Sequence, residues 1–223
     1  MRRGCTMLSF KERTDSWNQM MLSPVKTAKI HAKRKELSFR DGLENFGTPI
    51  LMTYLPLLLI ALALSGNFEI IYLAAILFSL AATALAILVV SVAFTLMLLL
   101  VASLFGGKAP LGKAYYMVSL AAAPTFVFTI VINISVLLLK SIMDQLSFPV
   151  GAGIFQLAGD LVALAVTVYG FCLLTVSIDS LYRFGWKKAL VSWLVPTIIL
   201  LATGAFLSLT VLLSVLRFLF KTL

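Results

Sequence analysis

From Ile70 to Phe105 the chain runs 36 residues without a glycine, a proline or a charged side chain. As one helix, at ~1.5 Å per residue, this run would reach about 54 Å, well beyond a ~30 Å hydrocarbon core. It must be either one tilted, protruding helix or an unmarked hairpin. The single helix is favoured, because a hydrophobic turn without Gly, Pro or Asn has nothing to stop it. The whole chain has the same character: 61% of its 223 residues are hydrophobic and 12% charged, against ~45–50% and ~25% in soluble domains.

These features predict an all-α fold, a polytopic bundle of transmembrane helices. Residues 1–47 form a basic amphipathic N-terminal segment too short for a core of its own, and residues 48–223 form the membrane domain. Spans are expected at about 48–64, 70–105, 115–139, 153–181 and 189–216. The turn signals between them are Ser65-Gly-Asn-Phe-Glu69, Phe105-Gly-Gly-Lys108, the Ser147–Gly153 cluster and Tyr182-Arg-Phe-Gly-Trp186. Charge favours five spans over the six that a hairpin would give. With five, Lys108, Lys113, Arg183, Lys187 and Lys188 share the tail's side and only Lys140, Arg217 and Lys221 lie opposite. Five against three obeys the positive-inside rule, and six spans would invert it. The N-terminus is then cytoplasmic and the C-terminus outside.

The tail holds ten of the eighteen Lys and Arg residues and is expected to lie on the membrane surface, against anionic headgroups. The net charge of +9 is therefore read as membrane topology. No zinc-finger spacing, RNP-like aromatic run or helix-turn-helix pattern points to nucleic acid. Ser23-Pro24 signals a helix start, with Lys26, Lys29 and Lys33 on one face and Val25, Ala28 and Ala32 on a weak opposite one. Ser38-Phe-Arg-Asp41 resembles a capping box, followed by Phe39, Leu43, Phe46 and Ile50 at helical spacing. His31, alone among lysines, is expected to be a solvated surface residue. Cys5 in the tail and Cys172 in an apolar run are expected to stay unpaired, and no cleavable signal peptide is read at the N-terminus.

Asp160 is the clearest ionisable group within a span, at a cost of ~2.5–3.5 kcal/mol if central. On antiparallel helices it could share the outer half of the bilayer with Asn133 and hydrogen-bond to it; the plainer alternative is a hydrated residue near the outer interface. Asp179 is expected to pair with Arg183, Lys187 or Lys188. Pro124 and Pro196 are expected to kink their helices, with Ser119 and Ser192 meeting the freed carbonyls. Gly106 and Gly107 read as a helix stop, and Lys108 lacks the spacing of a phosphate-binding P-loop. With one histidine, no carboxylate cluster and no Gly-x-Ser-x-Gly turn, the sequence offers no catalytic residues, no metal site and no cofactor.

Phe105-Gly-Gly-Lys108 followed by Tyr116-Met-Val-Ser-Leu120 and Pro124 resembles the loop and third span of the Yip domain family, integral membrane proteins that interact with Ypt/Rab GTPases. Leu22-Ser-Pro24, Ser38-Phe-Arg-Asp-Gly-Leu43 and Tyr182-Arg-Phe-Gly-Trp-Lys-Lys-Ala-Leu190 leading to Pro196 resemble further parts of prokaryotic members. The likeness covers roughly residues 20–210. It implies five spans, a cytoplasmic N-terminus and a prokaryotic plasma membrane. The chain lacks the Asp-Leu-x-Gly-Pro motif of eukaryotic members, which removes the basis for direct Rab binding. The expected function is a non-enzymatic scaffold or helper acting through other membrane proteins and lipid. The alternative is a small permease, or an accessory subunit of an efflux system, with no substrate identified.

Overall fold

The computed structural model describes residues 10–34, 37–49, 70–145 and 149–221. Among these the chain is all-helical, without a strand. Three short helices come first: α1 (Phe10–Leu22), α2 (Pro24–Lys33) and α3 (39–49). Four long ones follow: α4 (Ile70–Leu104), α5 (Leu111–Gln145), α6 (Pro149–Tyr182) and α7 (Trp186–Lys221). All four are long and apolar enough to cross a membrane, which marks the chain as an integral membrane protein. The expected span at 48–64 lies outside the described residues beyond its first two positions, as do Ile50, Cys5 and the Ser65–Glu69 turn.

The long apolar run is a single unbroken helix, so the hairpin needed for six spans is not formed. It stops as expected. Gly106 takes a left-handed φ of 81°, its N–H donates to the Ser103 carbonyl at 3.0 Å, and the Gly107 N–H reaches back to Ala102 at 2.9 Å. These are the two bonds of a Schellman stop, which only glycine enters without strain. At the end of α6, Arg183 itself takes the left-handed position, with φ 57°. Its N–H returns to the Asp179 carbonyl at 2.7 Å.

Short turns make α4 to α7 antiparallel neighbours. The α4–α5 and α6–α7 connections therefore meet at one end of the bundle, the loop end. Leu98, Val118, Ile178, Ala189 and Trp193 pack together there from all four helices. The α5–α6 seam is close: a Cβ added at Gly159 would sit 2.1 Å from Val136, and one at Gly170 would sit 2.8 Å from Thr125. The helices run through Pro124 and Pro196. The serines expected to serve the freed carbonyls are engaged elsewhere. Ser119 donates to Tyr116 at 2.8 Å and Ser192 to Lys188 at 2.7 Å, whereas proline at position i frees the carbonyl at i−4.

α1 and α2 form a hairpin against α5 and α6. Trp17, Met20 and Ala28 fill one core with Tyr116, Met117, Leu120 and Leu173. α2 begins at Pro24 as expected, yet Ser23 does not cap it; its hydroxyl turns back to the Gln19 carbonyl at 3.2 Å. α3 opens with the reciprocal box expected at Ser38 and Asp41. The Ser38 N–H donates to the Asp41 carboxylate at 2.9 Å, and the Asp41 N–H donates to Ser38 Oγ at 3.3 Å. Because both partners are part-buried, Asp41→Ala is expected to cost ~1 kcal/mol, measurable as earlier thermal loss of α3 protection from proteolysis.

Candidate functional site

The loop end gathers nearly every residue singled out in the two loops. Gly107 has no room for a side chain: a Cβ would lie 2.3 Å from Phe184 and 2.8 Å from Tyr182. Phe105 meets Phe184 edge-on at 6.0 Å, and Phe184 stacks on Tyr182 at 5.1 Å. The Gly106–Lys113 and Arg183–Lys188 segments thus share one face. Lys108, Arg183, Lys187 and Lys188 are exposed on it and Lys113 is half-buried. Lys187 leans over the Trp186 ring at 5.8 Å. Asp179 departs from expectation: its carboxylate accepts the Gly185 N–H at 2.7 Å, fastening the turn where an ion pair was expected.

Behind this face the N-terminal helices build a buried polar layer that sequence reasoning missed. His31 is only 3% exposed, not solvated, and its Nδ1 lies 3.0 Å from the Tyr116 hydroxyl. Burial, reinforced by the Arg34 charge, pushes its pKa down to about 4, so it is neutral near pH 7 and accepts from or donates to the phenol. Asn45 donates to Ser119 at 3.2 Å, and Ser91 meets the Tyr115 hydroxyl at 2.9 Å. Arg13 forms an ion pair with Glu44, which also accepts Arg40 Nε at 3.0 Å. Phe39 packs on Tyr115 at 4.5 Å and Phe46 at 5.8 Å, as the helical spacing in α3 implied. The Tyr115-Tyr116 pair was the visible signal: two phenols in an apolar helix need buried partners.

Below the polar layer a cavity of about 580 Å³ opens between α4, α5, α6 and α7, with Phe46 at its edge. Five hydroxyls line it, on Ser91, Thr125, Thr129, Thr167 and Thr197. Each donates to a carbonyl of its own helix, at 2.7 to 2.9 Å. The lining therefore presents methyl and aromatic surface.

Asn133 and Asp160 lie outside this cavity, and the structure does not join them. Both are exposed, and Asp160 accepts from Gln156 on its own helix at 3.0 Å. With 100° between successive residues, the turn that puts Gly159 on the α5 seam points Asp160 away from it. Among the described residues no group of three or more His, Cys, Asp or Glu is placed to hold a metal ion. No family model, curated protein or solved structure matches the chain.

Proposed function

We propose that the chain is a non-enzymatic scaffold or helper of the Yip type in a prokaryotic plasma membrane, with five spans and a cytoplasmic N-terminus. The observation that carries the scaffold reading is an exposed apolar stripe on α4 near the loop end. The four long helices have 34 to 36 residues, or about 51–54 Å, against a ~30 Å hydrocarbon core. α1 and α2, rich in exposed charges, do not enter hydrocarbon. They cover α6 from Tyr169 to Leu181, so hydrocarbon begins beyond Tyr169. From there to Pro149 is 20 residues, about 30 Å, one bilayer core, in which Asp160, exposed and bonded to Gln156, is the one charged residue of that stretch of α6. A stem of ~20 Å therefore projects at the loop end.

Leu96, Leu100 and Leu104, one turn apart on α4, stand in this stem, with Leu100 69% and Leu104 81% exposed. They continue the exposed line of Leu85 and Val89 into water, where an apolar stripe calls for a protein cover. The alternative, an accessory part of a transport system, draws on the apolar cavity and not on Asn133 or Asp160. A photo-crosslinking amino acid at Leu100, in native membranes, is expected to capture a defined membrane protein. The same probe at lipid-facing Leu161 is expected to give lipid adducts. Lipid adducts alone at Leu100 would sink the scaffold reading.

A further inference from the structure

The α1–α2 hairpin reaches deepest along the stem at its corner. The Tyr169 hydroxyl donates to the Met21 carbonyl at 2.5 Å, 13 residues or ~20 Å from the end of α6 at Tyr182. His31, by contrast, meets Tyr116, only five residues into α5. α2 therefore climbs from the foot of the stem toward the loops, leaving residues 21–25 lowest.

This corner is held rigidly from inside. Met20 is fully buried, and the Gln19 carbonyl accepts from the Ser23 N–H at 2.8 Å and from the Thr27 hydroxyl at 3.0 Å. Yet two residues after Met20, Leu22 is 86% exposed, and Val25 at the start of α2 and Ile30 farther up it are exposed as well. The apolar residue expected on the packed face of α2, Val25, thus points outward, while Thr27, Ala28 and His31 point in. Lys26, Lys29 and Lys33 share the outward face, and α2 contains no acidic residue. Helical rise sets Lys26 about 6 Å and Lys29 about 10 Å above Leu22. The headgroup layer is ~5–8 Å thick on each side of the hydrocarbon. An apolar tip at the foot of the stem, with Lys26 at headgroup height, Lys29 just above it and the exposed carboxylates of Glu12 and Asp15 confined to α1, is the pattern of an interfacial anchor.

We propose that the α1–α2 corner inserts Leu22 and Val25 into the headgroup–acyl boundary of an anionic leaflet, with Lys26 and Lys29 on lipid phosphates. The proposal rests on the reading of α4 to α7 as spans with a projecting stem. It is tested with the full chain in nanodiscs, with Cys5 and Cys172 replaced by serine and one cysteine carrying an environment-sensitive dye. At Leu22 the dye is expected to be blue-shifted and quenched by iodide several-fold less than at exposed Lys11. Replacing phosphatidylglycerol by phosphatidylcholine, or making K26Q/K29Q, is expected to raise quenching at Leu22 alone. Quenching at Leu22 equal to that at Lys11, while a dye at Leu161 stays protected, overturns the proposal and leaves the spans standing. Protection at Leu22 that ignores lipid charge and persists in detergent assigns the corner to a protein contact and also overturns it. Quenching at Leu161 as well removes the spans and the proposal together.

Discussion

Replacing Gly112 by valine is expected to lever α3 off α5 while leaving α4 to α7 assembled. A Cβ at Gly112 would lie 2.8 Å from the Phe39 backbone nitrogen and 3.3 Å from the Ser38 carbonyl carbon. Both neighbours are main chain, held by the Ser38–Asp41 box, so no rotamer change gives relief. Overpacking costs ~1–3 kcal/mol where side chains can shift, and a backbone wall puts this site at the upper end. The consequences follow in sequence: Phe39 leaves Tyr115, and Asn45 loses Ser119, uncovering a polar layer built to be closed. The expected readout is proteolysis within 39–49 at a temperature where the parent chain resists, with the long helices still protected. Gly204→Ala is the control. Nothing lies within 4 Å of that position, so stability is expected to hold, or to rise by up to ~1 kcal/mol from helix propensity. Equal proteolysis of the two variants would show that the close approach at Gly112 carries no energy. The same crowding makes Gly112 a poor place for a topology label; exposed Lys108 reports the sidedness of that loop better.

What could be read ahead was whatever the chain encodes locally. The unbroken α4 follows from the lack of any stop between Ile70 and Phe105, the Gly106 turn from a conformation other residues avoid, and the Ser38 box from a spacing of three. The sharing of one face by the two loops also follows, since alternate connections of an antiparallel bundle meet at the same end. What depended on helical phase was not legible. Depth counted from loop boundaries put Asn133 and Asp160 level, but depth says nothing about direction around a helix. A better signal was present in Gly159 and Gly170, eleven residues apart and hence on one face. They face Val136 and Thr125, also eleven apart, and so draw the α5–α6 seam that excludes Asp160. α2 misled for a related reason. Its three lysines suggested a solvated helix, and its inner face, Thr27, Ala28 and His31, is too small and polar to stand out. It is apolar only in the company of Met117, Leu120 and Leu173.

His31 supplies the second large effect, a loss of α2 docking on acidification. Its folded pKa is about 4, against ~6.5 for a free imidazole, so the undocked tail takes up a proton first. Stability is then flat above about pH 7 and falls as pH drops from ~6.5 toward ~4, by roughly 2 kcal/mol at pH 5. The direction is set by what surrounds the ring. Burial disfavours the charged ring, Arg34 opposes a second positive charge, and the Tyr116 hydroxyl does not compensate for one. Arg13 is committed to Glu44, and Asp41 to Ser38. Hydrogen exchange along α1 and α2 is therefore expected to accelerate between pH 7 and pH 5, after correction for intrinsic rates, while α4 to α7 hold. In His31→Gln, which keeps a polar partner for Tyr116 but cannot titrate, that acceleration is expected to vanish. If the variant keeps the parent's pH slope, the slope comes from elsewhere. If the parent shows none, the imidazole is not held neutral by its burial. Because the proton reaches His31 only when α2 lifts, the tail's release is governed by local opening, not by unfolding of the bundle, and its pH range follows from one buried ring.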